Sequence, residues 1–407
     1  MRAAAAAPFP SALPRWVAIA GIVLGAAAFW LAIPPVSARA PWWPVLVGLL
    51  AVAAGIWAVT RGIRRPAWGA VAVGVLGIGL GLLATHSSAE HLDQVVVWSA
   101  LATAMLAWAT PLTYAAIGGM FCERSGVVNI GLEGMMLSGA FFGVLGADKL
   151  GSWGWGVLVA LVAGGVLALV HAVFAVHLRA DQIITGTAVN FLALGVTGYF
   201  AVKIYGANGT PGDLPRIPNV DEHTAVVGPL FHQIARIPFI GDVFGQLNLM
   251  IWLSFLLVLA SYVVIFKTPI GLRIRAVGEH PRAADTAGIS VYALRYAATV
   301  VSGMLAALGG AYLAVGFVGS FNLDMIRGRG FIALAAVIFG NWRPFGAFAA
   351  ALLFGGSTAL SFRLAQPWGN ASVLFQALPY VLTLIAVAGV IGRSNPPASA
   401  GRPYVKQ

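Results

Sequence analysis

The sequence predicts an all-α, polytopic helical membrane protein of about 10–12 membrane segments, some of them short or discontinuous. Three observations predict it. Of the 407 residues, 59% are hydrophobic and 9% charged, where soluble globular domains carry about a quarter charged residues. The mean hydropathy is +0.88. Apolar runs of roughly 20 residues, long enough to cross about 30 Å of hydrocarbon, recur along nearly the whole chain. Continuous runs of this kind are helical, and they exclude an outer-membrane barrel, whose strands alternate over about ten residues.

In chain order the apolar segments are 16–33, 43–59, 67–84, 95–119, 131–147, 154–177, 183–202, 246–266, 291–316, 344–362 and 372–391. One more, Phe331–Gly340, is too short to span a bilayer and reads as a half-helix or a segment bent in the membrane. The first segment follows Arg2 and Arg15 and precedes Ala38-Arg39-Ala40, which imitates a secretory signal. Its apolar part exceeds a usual signal core and more spans follow, so it is expected to stay as a helix. Residues 203–245, rich in Gly, Pro and Asn, form a long extracytoplasmic loop. A mildly apolar stretch there, around Phe231–Phe244, reads as a short helix on the outer surface. Residues 393–407 are polar, contain proline and read as a disordered cytoplasmic tail.

Charge supports this topology. With the N-terminus in the cytoplasm, 16 of the 24 Lys and Arg and 5 of the 13 acids fall on the cytoplasmic side or in the membrane. The outside is then neutral and the whole net charge of +11 lies within. That is the positive-inside pattern, and it removes the case for nucleic acid as a partner. The single cysteine, Cys122, excludes an internal disulfide framework and a cysteine-based metal site. His171 and His177, six apart, do not share a helix face, so no metal is expected.

The polar segments carry the functional information. Lys267–Ile289 reads KTPIGLRIRAVGEHPRAADTAGI. Pro281 suits a first helical position and Gly288 is placed to end the helix. A short, alanine-rich helix flanked by Arg273, Arg275 and Arg282 is suited to dock against a partner. A basic loop that merely anchors the span leaves the alanine surface and the two helix signals unexplained.

Cys122–Gly134 reads CERSGVVNIGLEG, polar and glycine-rich between two apolar runs. Gly126, Gly131 and Gly134 allow tight bends, while Asn129 and Glu133 supply hydrogen-bonding groups. Polar groups at membrane depth are costly unless they face partners or a cavity. A mirror of the pattern comes late: Arg327-Gly328-Arg329-Gly330 leads into Phe331–Gly340 and then Asn341-Trp342-Arg343-Pro344. Glycine-interrupted short segments in both halves suit a transporter built from repeats around a midplane site. Glu123 and Arg124 are expected to fix the bend at the membrane edge, and Asn129 and Glu133 to line or gate the path. In Asp181–Asn190, DQIITGTAVN, Thr185 and Thr187 can return hydrogen bonds to their own backbone, and Asn190 either bonds a neighbouring helix or faces the path. No G-x-x-x-x-G-K-[ST] phosphate loop, H-E-x-x-H or G-x-S-x-G occurs. Energy must come from a partner or an ion gradient.

ERSGVVNIGLEGMML (Glu123–Leu137), DQIITGTAVN, GLRIRAVGEHPRAADTAGI (Gly271–Ile289) and GFIALAAVIFGNWRPFGA (Gly330–Ala347) occur in that order. Together they resemble the permease subunits of bacterial ABC importers, in the branched-chain amino acid and simple-sugar permease family and its nucleoside-importer branch. The resemblance runs over about Val95–Gly392. It implies a multi-pass protein of the cytoplasmic membrane without ATP-binding site or cofactor of its own. It further implies a sister permease, often different but related, that completes the translocation path. A cytoplasmic ATPase would dock on a coupling helix that maps onto His280–Gly288, and a separate solute-binding protein would deliver substrate from outside.

For this chain the expected coupling residues are Arg275, Glu279, His280, Arg282 and Asp285, and the expected pathway residues Asn129, Glu133, Thr187 and Asn190. Amides and hydroxyls suit a neutral nucleoside, and a simple sugar such as ribose needs nearly the same chemistry. Branched-chain amino acid import and an ion-coupled secondary transporter are the remaining alternatives. Residues 1–94 add about three apolar spans that family members usually lack, with a basic turn at Arg61–Arg65.

Overall fold

The computed structural model describes residues 12–32, 42–63, 65–85, 97–206, 209–211, 213–220, 237, 239–245, 247–365 and 394–406. Eleven of the twelve apolar segments fall on helices; 372–391 lies outside the described residues. Among the described residues, seven helices are long and apolar enough to cross a membrane. The chain divides into two compact units, residues 1–101 with 357–393 and residues 102–356 with 394–407.

The first unit contains α1 (Ala12–Ala32), α2 (Trp42–Thr60) and α3 (Arg65–Thr85). Their contacts run through small residues: Ala18, Ala51, Ala58, Ala67 and Ala70 are fully buried. A methyl on Gly55 would collide with the Ala67 carbonyl and Val71. In hydrocarbon, where apolar side chains gain nothing by leaving lipid, such close backbone approach is what holds helices together.

The second unit is built on α4 (Trp98–Arg124), α5 (Leu132–Leu150), α6 (Trp153–Ala172), α7 (Gln182–Tyr205), α9 (Leu249–Lys267) and α12 (Val291–Ala311). Asp181, Asn248 and Ser290 cap α7, α9 and α12 with their own side chains. Helices α5, α6 and α12 form the tightest core, because a side chain at Gly139, Gly164 or Gly310 would run into the backbone of a neighbour. Helix α12 continues as a π-helical segment, Tyr312–Val318, closed by Gly319 at φ +79°. Beyond it come the eleven-residue α13 (Arg329–Phe339) and then α14 (Pro344–Ala365).

Three local expectations change. In the long loop, half of the Phe231–Phe244 stretch lies outside the described residues and its end forms α8 (Ile240–Phe244), while Asn219–Val220 (β1) pairs antiparallel with Leu247–Asn248 (β2), a ribbon too short to leave a strand signature in sequence. Lys267–Ile289 is more than a loop with one helix. Thr268 caps α10 (Pro269–Glu279), with Pro269 at the first position, and α11 (Pro281–Thr286) follows as an elbow. Finally, residues 394–406 are not a disordered tail. They lie against α10, α11 and α12, because their backbone finds fixed partners: the Ser399 amide donates to Gly278 O (2.9 Å) and the Gly401 amide to Gly126 O (3.2 Å).

Candidate translocation junction and coupling elbow

Between α4 and α5 the chain runs without helical hydrogen bonds through Val127–Ile130. Such backbone at membrane depth needs partners from elsewhere in the protein. They are side chains of α6 and α7. The Val128 amide donates to Gln182 Oε1 (2.7 Å), and His171 Nε2 lies 3.1 Å from Val128 O. A carbonyl only accepts, so the proton sits on His171 Nε2 and leaves Nδ1 facing the Thr185 hydroxyl at 3.3 Å. Asn190 Nδ2 donates to Ile130 O (3.0 Å). Asn129 is fully buried; its Nδ2 donates to Ser302 Oγ (3.0 Å) on α12 and approaches Met135 Sδ (3.3 Å).

Both interrupted helices are capped from a neighbouring helix. No side chain of the preceding turn caps α5; instead Asn190 Oδ1, on α7, accepts from the Gly134 amide (2.8 Å). No such side chain caps α13 either. Glu133, in the first turn of α5, does so with both oxygens: Oε1 accepts from the Gly328 amide and Oε2 from the Gly330 amide, each at 2.6 Å. The free amides at a helix start carry a partial positive charge, so a carboxylate fits there. Gly330 has no alternative, since a methyl would strike the Glu133 backbone. The two glycine-broken stretches of the sequence therefore meet, α7 capping α5 and α5 capping α13.

The far end of α13 is held by α4. Arg124 donates to Trp342 O through Nε (3.0 Å) and Nη2 (2.8 Å), and the Trp342 indole N–H donates to Glu123. An eleven-residue helix is about 16 Å long, half the thickness of the hydrocarbon. With Arg124, Arg275 and Arg343 marking the basic edge of the membrane, the Glu133 junction lies near the midplane.

At that basic edge α10 and α11 form the elbow. A methyl on Gly278 would strike the Arg124 carbonyl, so α10 sits directly on the end of α4. The guanidiniums of Arg124 and Arg275 both lie over the Phe266 ring, at 5.6 and 5.4 Å. Glu279, His280 and Arg282 are exposed, whereas Ala284 is buried. Asp285 and Glu279 are engaged by the C-terminal segment. Tyr404 donates to Asp285 Oδ2 (2.8 Å), Lys406 lies 4.0 Å from Asp285 Oδ1, and the Ala398 amide donates to Glu279 Oε2 (3.2 Å). Burial, and then the bond to Asp285, hold the Tyr404 hydroxyl above the usual tyrosine range, so it remains a donor at neutral pH.

The structure thus brings Asn129, Glu133 and Asn190 together around the interruption; Glu133 and Asn190 spend their polar groups on helix ends and backbone, while Asn129 donates to Ser302 and its Oδ1 meets no partner among the described residues. Thr187 stands apart: its hydroxyl donates to Ile183 O of its own helix (2.8 Å). The sequence reading does not select His171 or Gln182 for this junction; His171 is a lone polar residue in an apolar run, the signal that finds it, whereas Gln182 follows Asp181 in the polar stretch that opens α7. It also misses a cavity of about 500 Å³ walled by α4, the β1–β2 ribbon and the π-helical segment. Among the described residues no group of His, Cys, Asp and Glu is arranged to hold a metal ion.

The family profile described as "Branched-chain amino acid transport system / permease component" matches residues 101–387. The guanosine ABC transporter permease protein NupQ of Bacillus subtilis is 42% identical over 330 residues, covering 77% of this chain and 99% of the relative. The nucleoside ABC transporter permease protein NupC of Lactococcus lactis is 40% identical over 313 residues, with 74% and 95% covered. A putative glucose ABC transporter permease protein, TsgC13 of Haloferax volcanii, is 34% identical over 255 residues, with 63% and 74% covered. No solved structure matches significantly.

Proposed function

The chain belongs to the permease family of branched-chain amino acid transport systems, and from that premise we propose that it is the membrane subunit of an ATP-driven nucleoside importer. It is an integral, multi-pass inner-membrane protein. The observation that carries the coupling part of this reading is the elbow. Helix α11 leaves His280, Arg282, Ala283 and Thr286 exposed beyond the spans while α10 is seated on the end of α4. A separate ATPase docked there would drive the permease from the cytoplasmic side, which is the side the positive charge assigns to this loop.

In this reading Arg275 and Glu279 hold the elbow in place, His280 and Arg282 meet the ATPase, and Asp285 fixes α11 to the C-terminal segment. A related second permease completes the path and a solute-binding protein loads it from outside. Glu133 and Asn190 hold the half-helices that frame the midplane, and Asn129 ties the loop between them to α12. Nucleosides are favoured as substrate because the two relatives above 40% identity or at it bear nucleoside names. The glucose name of a third relative, at 34%, favours a simple sugar as the second reading.

Uptake of labelled guanosine into proteoliposomes holding the complete importer tests this. It should require ATP and the binding protein, survive collapse of ion gradients, and be competed by other nucleosides more strongly than by ribose, free bases or amino acids. Competition by ribose alone would move the substrate to sugars. Uptake that persists without ATP and stops with the ion gradient would overturn the proposal.

A further inference from the structure

The cavity of about 500 Å³ lies in the half of the membrane opposite the elbow. Ala107 lines it, seventeen positions along α4 from Arg124, about 26 Å along a helix axis. Its volume is that of an ordinary small-molecule site. One wall is the π-helical segment Tyr312–Val318, a geometry that recurs at functional sites because the extra residue per turn displaces side chains from their helical positions. Tyr312 is buried there and stacks on Phe317, with ring centroids 6.2 Å apart and planes at 25°. Phe317 lines the cavity and keeps 38% of its surface open.

The polar lining is held ready. In the β1–β2 ribbon Asn219 stands directly opposite Asn248, so both side chains leave the same face. Asn248 is spent on structure: Nδ2 donates to Ile217 O (2.9 Å) and Oδ1 accepts from the Met250 amide (3.0 Å). Arg216 is laid flat over Gly319, where a methyl would meet its guanidinium at 2.6–2.7 Å. No hydrogen bond or ion pair engages its guanidinium among the described residues. An open aromatic ring, an amide and an exposed guanidinium with only donors to offer make a specific recognition set. Arg329, at the head of α13, covers the Trp108 ring at 4.9 Å, and Trp108 meets Phe317 edge-on at 5.0 Å. One aromatic contact therefore separates the cavity from the capped midplane junction.

We infer that this cavity is a substrate site within the permease itself, which takes a nucleoside with its base stacked on Phe317 and a base carbonyl oxygen accepting from Arg216. The inference rests on the nucleoside reading above and goes beyond it in placing a binding site in this chain and in predicting selectivity. A guanidinium cannot accept, so guanosine or inosine, with O6 and N7 as adjacent acceptors, satisfies it at two points, whereas adenosine sets the N6 amino donor beside N7 and offers one acceptor there. Asn219, with both donor and acceptor, serves the remaining base edge or a sugar hydroxyl.

The test is equilibrium binding of labelled guanosine and adenosine to the purified importer without its binding protein, so that only the membrane complex is probed. Guanosine should bind saturably and adenosine about tenfold more weakly, the factor that one good hydrogen-bonding contact supplies. Arg216→Gln should erase that preference, and Phe317→Leu should weaken both ligands about tenfold, with Phe317→Tyr restoring them. Assembly of each variant is checked by its elution with the ATPase. Absence of guanosine binding to the wild-type complex, equal binding of the two nucleosides, or a preference untouched in a correctly assembled Arg216→Gln complex would each overturn the inference. Uptake by the complete importer is measured in parallel. Guanosine uptake with no binding at this cavity removes the site alone; loss of guanosine uptake in the wild type removes the nucleoside reading beneath it.

Discussion

Replacing Glu133 is the sharpest probe of the midplane junction. Both of its oxygens accept, from amides at 2.6 Å, which is the pattern of an ionised carboxylate. Hydrogen bonds to a charged group contribute about 1.5–3 kcal/mol each, so Glu133→Ala should release about 3–6 kcal/mol of restraint on the start of α13. Glu133→Gln keeps one acceptor and turns an NH₂ group against the second amide, so it should lose at least half as much. Hydrogen exchange on the intact purified complex reads this directly, in peptides covering residues 326–331. Local opening should rise about a hundredfold or more in the Ala variant and roughly tenfold or more in the Gln variant, at about 1.4 kcal/mol per decade. Uptake should fall in the same order while the complex still assembles. Unchanged exchange at 326–331 in an assembled Glu133→Ala complex would refute the claim that this carboxylate holds α13.

Five further substitutions separate structural from coupling contributions. Asn190→Leu leaves the Gly134 amide and Ile130 carbonyl without their partners and should cost about 2–4 kcal/mol, seen as a lower melting temperature of the complex. Thr187→Val, which only removes a bond within α7, should stay within about 0.5 kcal/mol of the parent. Gly278→Ala drives a methyl into the Arg124 carbonyl and should lift α10 at a cost of about 1–3 kcal/mol; ATP hydrolysis in proteoliposomes should then no longer rise when loaded binding protein is added. Asp285→Arg should insert normally yet uncouple hydrolysis from uptake, and Tyr404→Phe should show the same defect more weakly, because it removes one bond and keeps the ring contact with Tyr292. Unimpaired uptake by Asp285→Arg would remove α11 from the coupling route.

The spans, the half-length α13 and the Pro281–Gly288 elbow were legible in sequence because each is encoded locally, by apolar run length or by a proline and a glycine at helix ends. Helix α10 carried its own local mark, Thr268 before Pro269, but its arginines and glycines look like a loop until α10 is seated on Arg124. The cross-capping was beyond local reading. Glu133 and Gly328 are 195 residues apart, and nothing in either stretch states which helix end the carboxylate meets. The order of the last residues was hidden for a related reason. A polar, proline-containing run looks disordered by composition, and its partners Gly126, Gly278 and Asp285 lie more than a hundred positions away. The cavity likewise draws on segments from three parts of the chain.

The contacts also explain how a force applied to the elbow could reach the midplane. Helix α10 touches the last turn of α4 at Arg124, and the C-terminal segment ties Gly278 to Gly126 through Ser399 and Gly401. Glu123 and Arg124 in turn grip Trp342, in a turn where Asn341 and Trp342 both sit at φ +53°. Asparagine tolerates that left-handed region but tryptophan does not, at about 1–2 kcal/mol, and the turn persists because Glu123, Arg124 and the Asn395 amide on Asn341 Oδ1 over-determine it. Helix α13 is therefore a rod of about 16 Å with a strained, clamped foot at the elbow and a carboxylate-capped head at the midplane. Movement of the foot has a rigid route to Glu133, Arg329 and the aromatic wall of the cavity. Relaxing a contact at the foot releases the strain held at Trp342, which suits this element to hold two arrangements.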